Sequence, residues 1–145
     1  MPTAVLLIAH GSRHAPANDD LRRLAAHLAL AGAHPIVEPA FLELAAPDIA
    51  AGGDRCVARG ADRVLMIPYF LAAGVHLLRD LTAARDGLMA RHPGVEFRLG
   101  PPLGPDALLE ELVAKRVAQL DGDGPPPEFA PSASVAAAYP SMGDH

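Results

Sequence analysis

Two imidazoles and one carboxylate stand at matching places in the chain. His10 follows the apolar run Ala4 to Ala9, Glu43 closes the run Pro35 to Glu43, and His76 follows the run Asp62 to Phe70 after a short loop. Neutral imidazole and carboxylate suit first-row divalent metals, iron, cobalt, nickel and zinc alike, so the set can hold a metal or move protons. Each residue also has an ordinary reading. His10 can bond a backbone carbonyl at a strand end, His76 can begin a helix, and Glu43, flanked by Leu42 and Leu44, can face solvent or be desolvated by those neighbours. Binding groups surround them. The Gly11-Ser12 turn can hold an anion at a helix start, although no G-x-x-x-x-G-K-S/T or G-x-G-x-x-G pattern surrounds it. Arg13, Arg79 and Arg85 lie on or next to the same edge and can pair with ligand carboxylates.

Such residues meet only if the backbone carries them to one place. Ala4 to Ala9 is apolar without alternation, which suits a strand buried on both faces of a parallel sheet. Asn18 is placed to cap a helix bearing Leu21, Leu24, Ala25 and Leu28, with Asp19 and Asp20 in its first turn and Gly32 as its stop. Pro35 to Glu43 reads as a second strand, followed by a short helix with Pro47 in its first turn and Ile49, Gly53, Cys56 and Val57 on one side. Asp62 to Phe70 is a third strand, and Leu77, Leu81, Ala84 and Leu88 form the stripe of a third helix. A strand near Val95 to Leu99 and a helix from Asp106 to Leu120 complete the pattern. Alternation at this spacing predicts an α/β three-layer sandwich with a mainly parallel, four-stranded sheet over residues 1–120. In the order 2-1-3, with ligands beyond the carboxyl ends of the strands, His10, Glu43 and His76 would approach one another.

Residues 121–145, rich in Pro, Gly, Ala and Ser and without helical or alternating period, read as a flexible tail. The alternative is a docked tail packing Phe129 or Tyr139 on a partner subunit. Composition narrows the class further. The chain has 145 residues, half of them hydrophobic and a fifth charged, enough to bury the core of one domain. Seventeen acidic residues against twelve basic give a net charge of -5, so nucleic acid and anionic membranes are not expected partners. Val64 to Leu78, the longest uncharged run, is too short to span a bilayer, and the single cysteine, Cys56, forms no internal disulfide. Cytoplasm is the expected compartment. Cys56 reads as a small core residue, His14 as a site-rim or surface residue, and His27, His34, His92 and His145 are given no site role.

Three separated stretches in order, Leu7-Ile8-Ala9-His10-Gly11-Ser12-Arg13, Phe41-Leu42-Glu43-Leu44-Ala45-Ala46-Pro47-Asp48-Ile49 and Pro68-Tyr69-Phe70-Leu71-Ala72-Ala73-Gly74-Val75-His76-Leu77-Leu78-Arg79-Asp80, together resemble the small CbiX/SirB-type sirohydrochlorin chelatases. These are class II chelatases, and the resemblance covers residues 3 to 120. It implies insertion of Co2+ or Fe2+, with Ni2+ also open, into the tetrapyrrole sirohydrochlorin on the way to cobalamin or sirohaem. The metal is then a substrate, and no permanently bound cofactor is expected. The resemblance maps metal-site histidines onto His10 and His76 and an acidic residue onto Glu43, the imidazoles holding metal and accepting pyrrole protons. Phe70, Leu71 and the segment to Gly74 would form an apolar wall for the ring. Arg13 and Arg79 would meet its peripheral carboxylates, with Ser12 in the adjoining turn also on the substrate.

Longer chelatases of this class hold two such halves around a cleft, so a single half implies a homodimer about a two-fold axis. Two other classes use the same residues. One is a metal or tetrapyrrole carrier without turnover. The other, lower in rank, is a phosphoryl-transfer enzyme with His10 as nucleophile, although histidine phosphatases place Arg before His-Gly where this chain has Ala9.

Overall fold

In the computed structural model, which describes residues 2–124, strands and helices alternate from one end to the other. They are β1 (Thr3–Ala9), α1 (Ala15–Ala31), β2 (Ile36–Phe41), α2 (Ile49–Ala58), β3 (Arg63–Pro68), α3 (Val75–Arg91), β4 (Glu96–Leu99) and α4 (Ala107–Leu120). The strands make one wholly parallel sheet in the order β2-β1-β3-β4. Parallel neighbours cannot be joined by a tight turn, so each crossover carries a helix, and every strand's carboxyl end falls on one edge.

β1 lies at the centre, and its unbroken apolar run has a packing partner on either side. Leu6 and Ile8 share a core with Ile49 and Cys56 of α2 and Leu81 and Leu88 of α3. Leu7 points the other way, to Leu21 and Ala25 of α1 with Val37 and Phe41 of β2. β3 is less symmetrical: Val64 and Met66 are buried under α2 and α3, whereas Leu65 and Ile67 on the opposite face are half-buried. α2 approaches closely because Gly52 and Gly53 carry no side chain. A Cβ on Gly52 would lie 2.8 Å from Ala40, and one on Gly53 would lie 2.5 Å from Leu88. Cys56 is wholly buried, and desolvation pushes its thiol up to about 12, which leaves it a small inert core group.

Several boundaries differ from the sequence reading. α1 starts at Ala15 with His14 at the cap position, because Pro16 takes the first-turn place that proline tolerates. Asn18 is therefore inside the helix and buried, not its cap, and Asp19 and Asp20 lie beyond the first turn, where they pair with Arg22 and Arg23. Pro47 precedes α2, whose cap is Asp48 accepting the Ala51 N–H at 2.8 Å. β2 ends at Phe41 and β3 at Pro68, leaving Glu43 and Phe70 in the loops that follow. No described helix is long and apolar enough to cross a membrane. Of the expected tail, residues 121–124 are exposed, and Phe129, Tyr139 and His145 lie outside the described residues.

Candidate functional site

The site begins in the register of β1 and β2. Ala9 pairs with Phe41, and the ladder runs past both strands: Leu42 donates its N–H to Ala9 O at 2.9 Å, and Glu43 donates to His10 O at 3.0 Å. The two strand ends are thus locked side by side. Gly11 allows the approach. Its φ is +99°, and a Cβ there would lie 1.8 Å from the Glu43 carbonyl oxygen, so only glycine fits. His10 and Glu43 consequently meet, with Nε2 2.9 Å from Oε1, and both side chains remain more than half exposed. Glu43 is not desolvated by Leu42 and Leu44; Leu44 is itself half exposed, with φ of 65°.

The turn after His10 is held from beneath. Asn18 Oδ1 accepts the Ser12 N–H and Asn18 Nδ2 donates to Ser12 O, both at 2.9 Å, so one buried amide clamps both backbone groups of Ser12. Ser12 Oγ in turn accepts the His14 N–H at 3.1 Å. One turn further along α1, Arg22 lies over the Phe41 ring at 5.2 Å and donates to Ala46 O at 3.0 Å, bracing the loop after β2. Sequence reasoning missed both supports. The available signal was Pro16, which moves the helix start upstream and turns Asn18 inward.

The other side of the site is tied down only at the start of its loop, well before His76. Glu43 follows β2 after one intervening residue, whereas His76 follows β3 only after the whole 69–75 stretch. It sits exposed in the first turn of α3, whose cap position, Gly74, supplies no side-chain hydrogen bond. Among the described residues no three His, Cys, Asp or Glu side chains gather closely enough to hold a metal, so the structure joins His10 with Glu43 and does not bring His76 to them. Phe70 turns inward onto the core, leaving Leu71 as the strongly exposed apolar side chain beside it. The loop is tied down by Tyr69 N–H to Ile8 O at 2.7 Å and Leu103 N–H to Phe70 O at 2.9 Å. Leu71 joins Leu109, Leu112, Val113 and Arg116 around a cavity of about 350 Å3. Arg79, Val75, Leu78 and Thr82 line a second, of about 410 Å3, along α3. Arg13 is exposed, while Arg85 is engaged by its neighbour Asp86 rather than facing the strand ends.

The His10–Glu43 spacing has a chemical meaning. Two donors each about 2.1 Å from a metal and at right angles are about 3 Å apart, so this pair can take adjacent positions on one ion. Its exposure leaves the remaining positions to water or to an incoming ligand.

A family model described as CbiX matches residues 4–120. The sirohydrochlorin ferrochelatase, chloroplastic, of Arabidopsis thaliana is 32% identical over 123 residues, 82% of this chain and 55% of that protein. The sirohydrochlorin cobaltochelatase of Saccharolobus solfataricus is 31% identical over 119 residues, 78% of this chain and 91% of that protein. Among solved structures, SirB from Bacillus subtilis with Fe3+ superposes with a TM-score of 0.74 at 30% identity, over 90% of this chain and 50% of that one. The chain therefore spans about half the length of several relatives it matches, and nearly all of the Saccharolobus protein.

Proposed function

The chain belongs to the CbiX family, and from that premise we propose that it is a sirohydrochlorin chelatase, inserting Co2+ or Fe2+, with Ni2+ also accepted, into the tetrapyrrole for cobalamin or sirohaem synthesis. The observation that carries the reading is the 2.9 Å contact of His10 with Glu43 at the carboxyl edge of a parallel sheet. A metal that must be handed on is poorly served by a closed set of protein ligands. His10 and Glu43 hold the hydrated ion at adjacent positions, and the ring nitrogens displace the waters that remain. Each insertion releases the two pyrrole N–H protons as the metal enters. His76, reaching in from α3 once the ring is bound, accepts one of them as a neutral imidazole, and the other passes to the Glu43 carboxylate as the metal leaves it.

The macrocycle lies against Leu71, with Phe70 backing it from the core and the Gly74 backbone close by. Arg13 and Arg79 meet its carboxylates, beside the Ser12 turn. Neither arginine has an ion-pair partner among the described residues, which supports leaving them for the substrate. A single half leaves a large ring open on one side, so the active form is a homodimer, working in the cytoplasm. Anaerobic mixing of the protein with sirohydrochlorin and each of Co2+, Fe2+ and Ni2+, followed by absorbance, tests the activity. Conversion faster than with metal alone supports it; stoichiometric metal binding without spectral conversion would show a carrier instead.

A further inference from the structure

α1 presents two polar side chains, one turn apart, to the two loops that carry His10 and Glu43. Asn18 clamps the Ser12 turn behind His10, and Arg22, on the same side of the helix, reaches the loop behind Glu43. The two loops share one brace.

Arg22 uses its whole guanidinium. One terminal nitrogen donates to Asp19 at 2.8 Å, the other donates to Ala46 O at 3.0 Å, and Cζ lies 5.2 Å from the centroid of the Phe41 ring. Phe41 is the buried last residue of β2 and pairs with Ala9, next to His10. A flat fork can make these three contacts at once, whereas the compact ammonium of a lysine cannot. Folding stability does not account for them. The Arg22 and Asp19 side chains are 41% and 49% exposed, and an ion pair so well hydrated contributes little.

The loop is one that could otherwise shift. Residues 42–47 leave β2 and come back to it, closed by the Phe41 N–H, which donates to Pro47 O at 2.9 Å. Glu43 is tied to His10 O through its own N–H, but Leu44 after it is half exposed with φ of 65°, a conformation that side-chain-bearing residues rarely adopt. Two donors 2.9 Å apart can share one ion, and a drift of about 1 Å between them would spoil that geometry.

We propose that Arg22 is a positioning residue for the metal: by engaging Ala46 O and lying over Phe41, it fixes the loop that carries Glu43 and keeps the carboxylate beside His10 before the ion arrives. This rests on the reading of His10 and Glu43 as the metal-holding pair, and it assigns the residue that sets their spacing. Arg22 itself touches neither metal nor ring.

Calorimetric titration of the full chain with Co2+ tests this on wild type, Arg22→Lys, Glu43→Ala and the double variant. Circular dichroism confirms that each is folded, and Co2+ is carried to millimolar concentration so that the weak binding left without Glu43 is measured. Arg22→Lys should weaken binding about 10-fold when Glu43 is present, and by less than about 2-fold when Glu43 is absent. Because the lysine keeps the charge, an unchanged affinity would overturn the proposal. Equal losses in the two backgrounds would overturn it too, since Arg22 would then act by a route other than Glu43. A Glu43→Ala protein that binds Co2+ as tightly as wild type, or a wild type that binds none, would instead remove the His10 and Glu43 site itself, and the role of Arg22 with it.

Discussion

The turn carrying His10 and the loop leading to His76 leave the same edge of the sheet and are held in opposite ways. Around His10, ladder bonds run two residues past the strands, Gly11 packs against the Glu43 carbonyl, and Asn18 clamps Ser12 from below. Around His76, the helix starts at a glycine with no capping side chain, and the imidazole stands in solvent apart from the other candidates. The contrast suggests a division of labour. A metal needs a fixed landing point, and orienting it in advance removes cost from binding. A group that meets the ring only after it arrives can be placed by the ring itself.

Breaking the rigid side should cost most. Gly11→Ala would put a methyl carbon within 1.8 Å of a backbone oxygen at a positive φ, so we expect a stability loss on the order of 3 kcal/mol or more in urea unfolding. Gly74→Ala is the control, for its Cβ would meet nothing within 4 Å. It should stay within about 1 kcal/mol of wild type. Equal losses for the two would erase the contrast.

Asn18→Ala should rank next, at about 2 kcal/mol, because both Ser12 backbone groups lose their partner and the site has little room to re-form them. Asn18→Asp keeps an acceptor for the Ser12 N–H and loses the donor, so it should fall between, with metal affinity following the same order by calorimetry. The smallest effect on stability belongs to His76→Ala, an exposed position expected within about 0.5 kcal/mol of wild type. Its insertion rate should nevertheless fall, with Co2+ affinity of the free protein unchanged; a loss of metal affinity equal to that of His10→Ala would instead make it a ligand before the ring binds.

The fold was largely legible because buried parallel strands are written as apolar runs. Val64 to Ile67 and the stripe Leu77, Leu81, Ala84 and Leu88 each announced an element and its packing face. Boundaries were read less well where competing signals overlap: Asn18 is a good helix cap by type, yet Pro16 starts the helix earlier, and the asparagine then serves the loop. The meeting of His10 with Glu43 followed from strand order alone, since both lie within a residue or two of paired strand ends. His76 could not be placed that way, because the 69–75 stretch has no period to fix its path. α4 was visible as a helix, but which side of an amphipathic helix finds a partner within the chain depends on tertiary structure.

The central claim is that His10 is where the metal lands. The anaerobic initial rate of Co2+ insertion into sirohydrochlorin, measured for wild type and for folded His10→Ala at equal concentrations, tests it most directly. The prediction is a wild-type rate well above that of metal alone and a loss of about 100-fold or more in the variant. A His10→Ala protein that inserts Co2+ at the wild-type rate would contradict it.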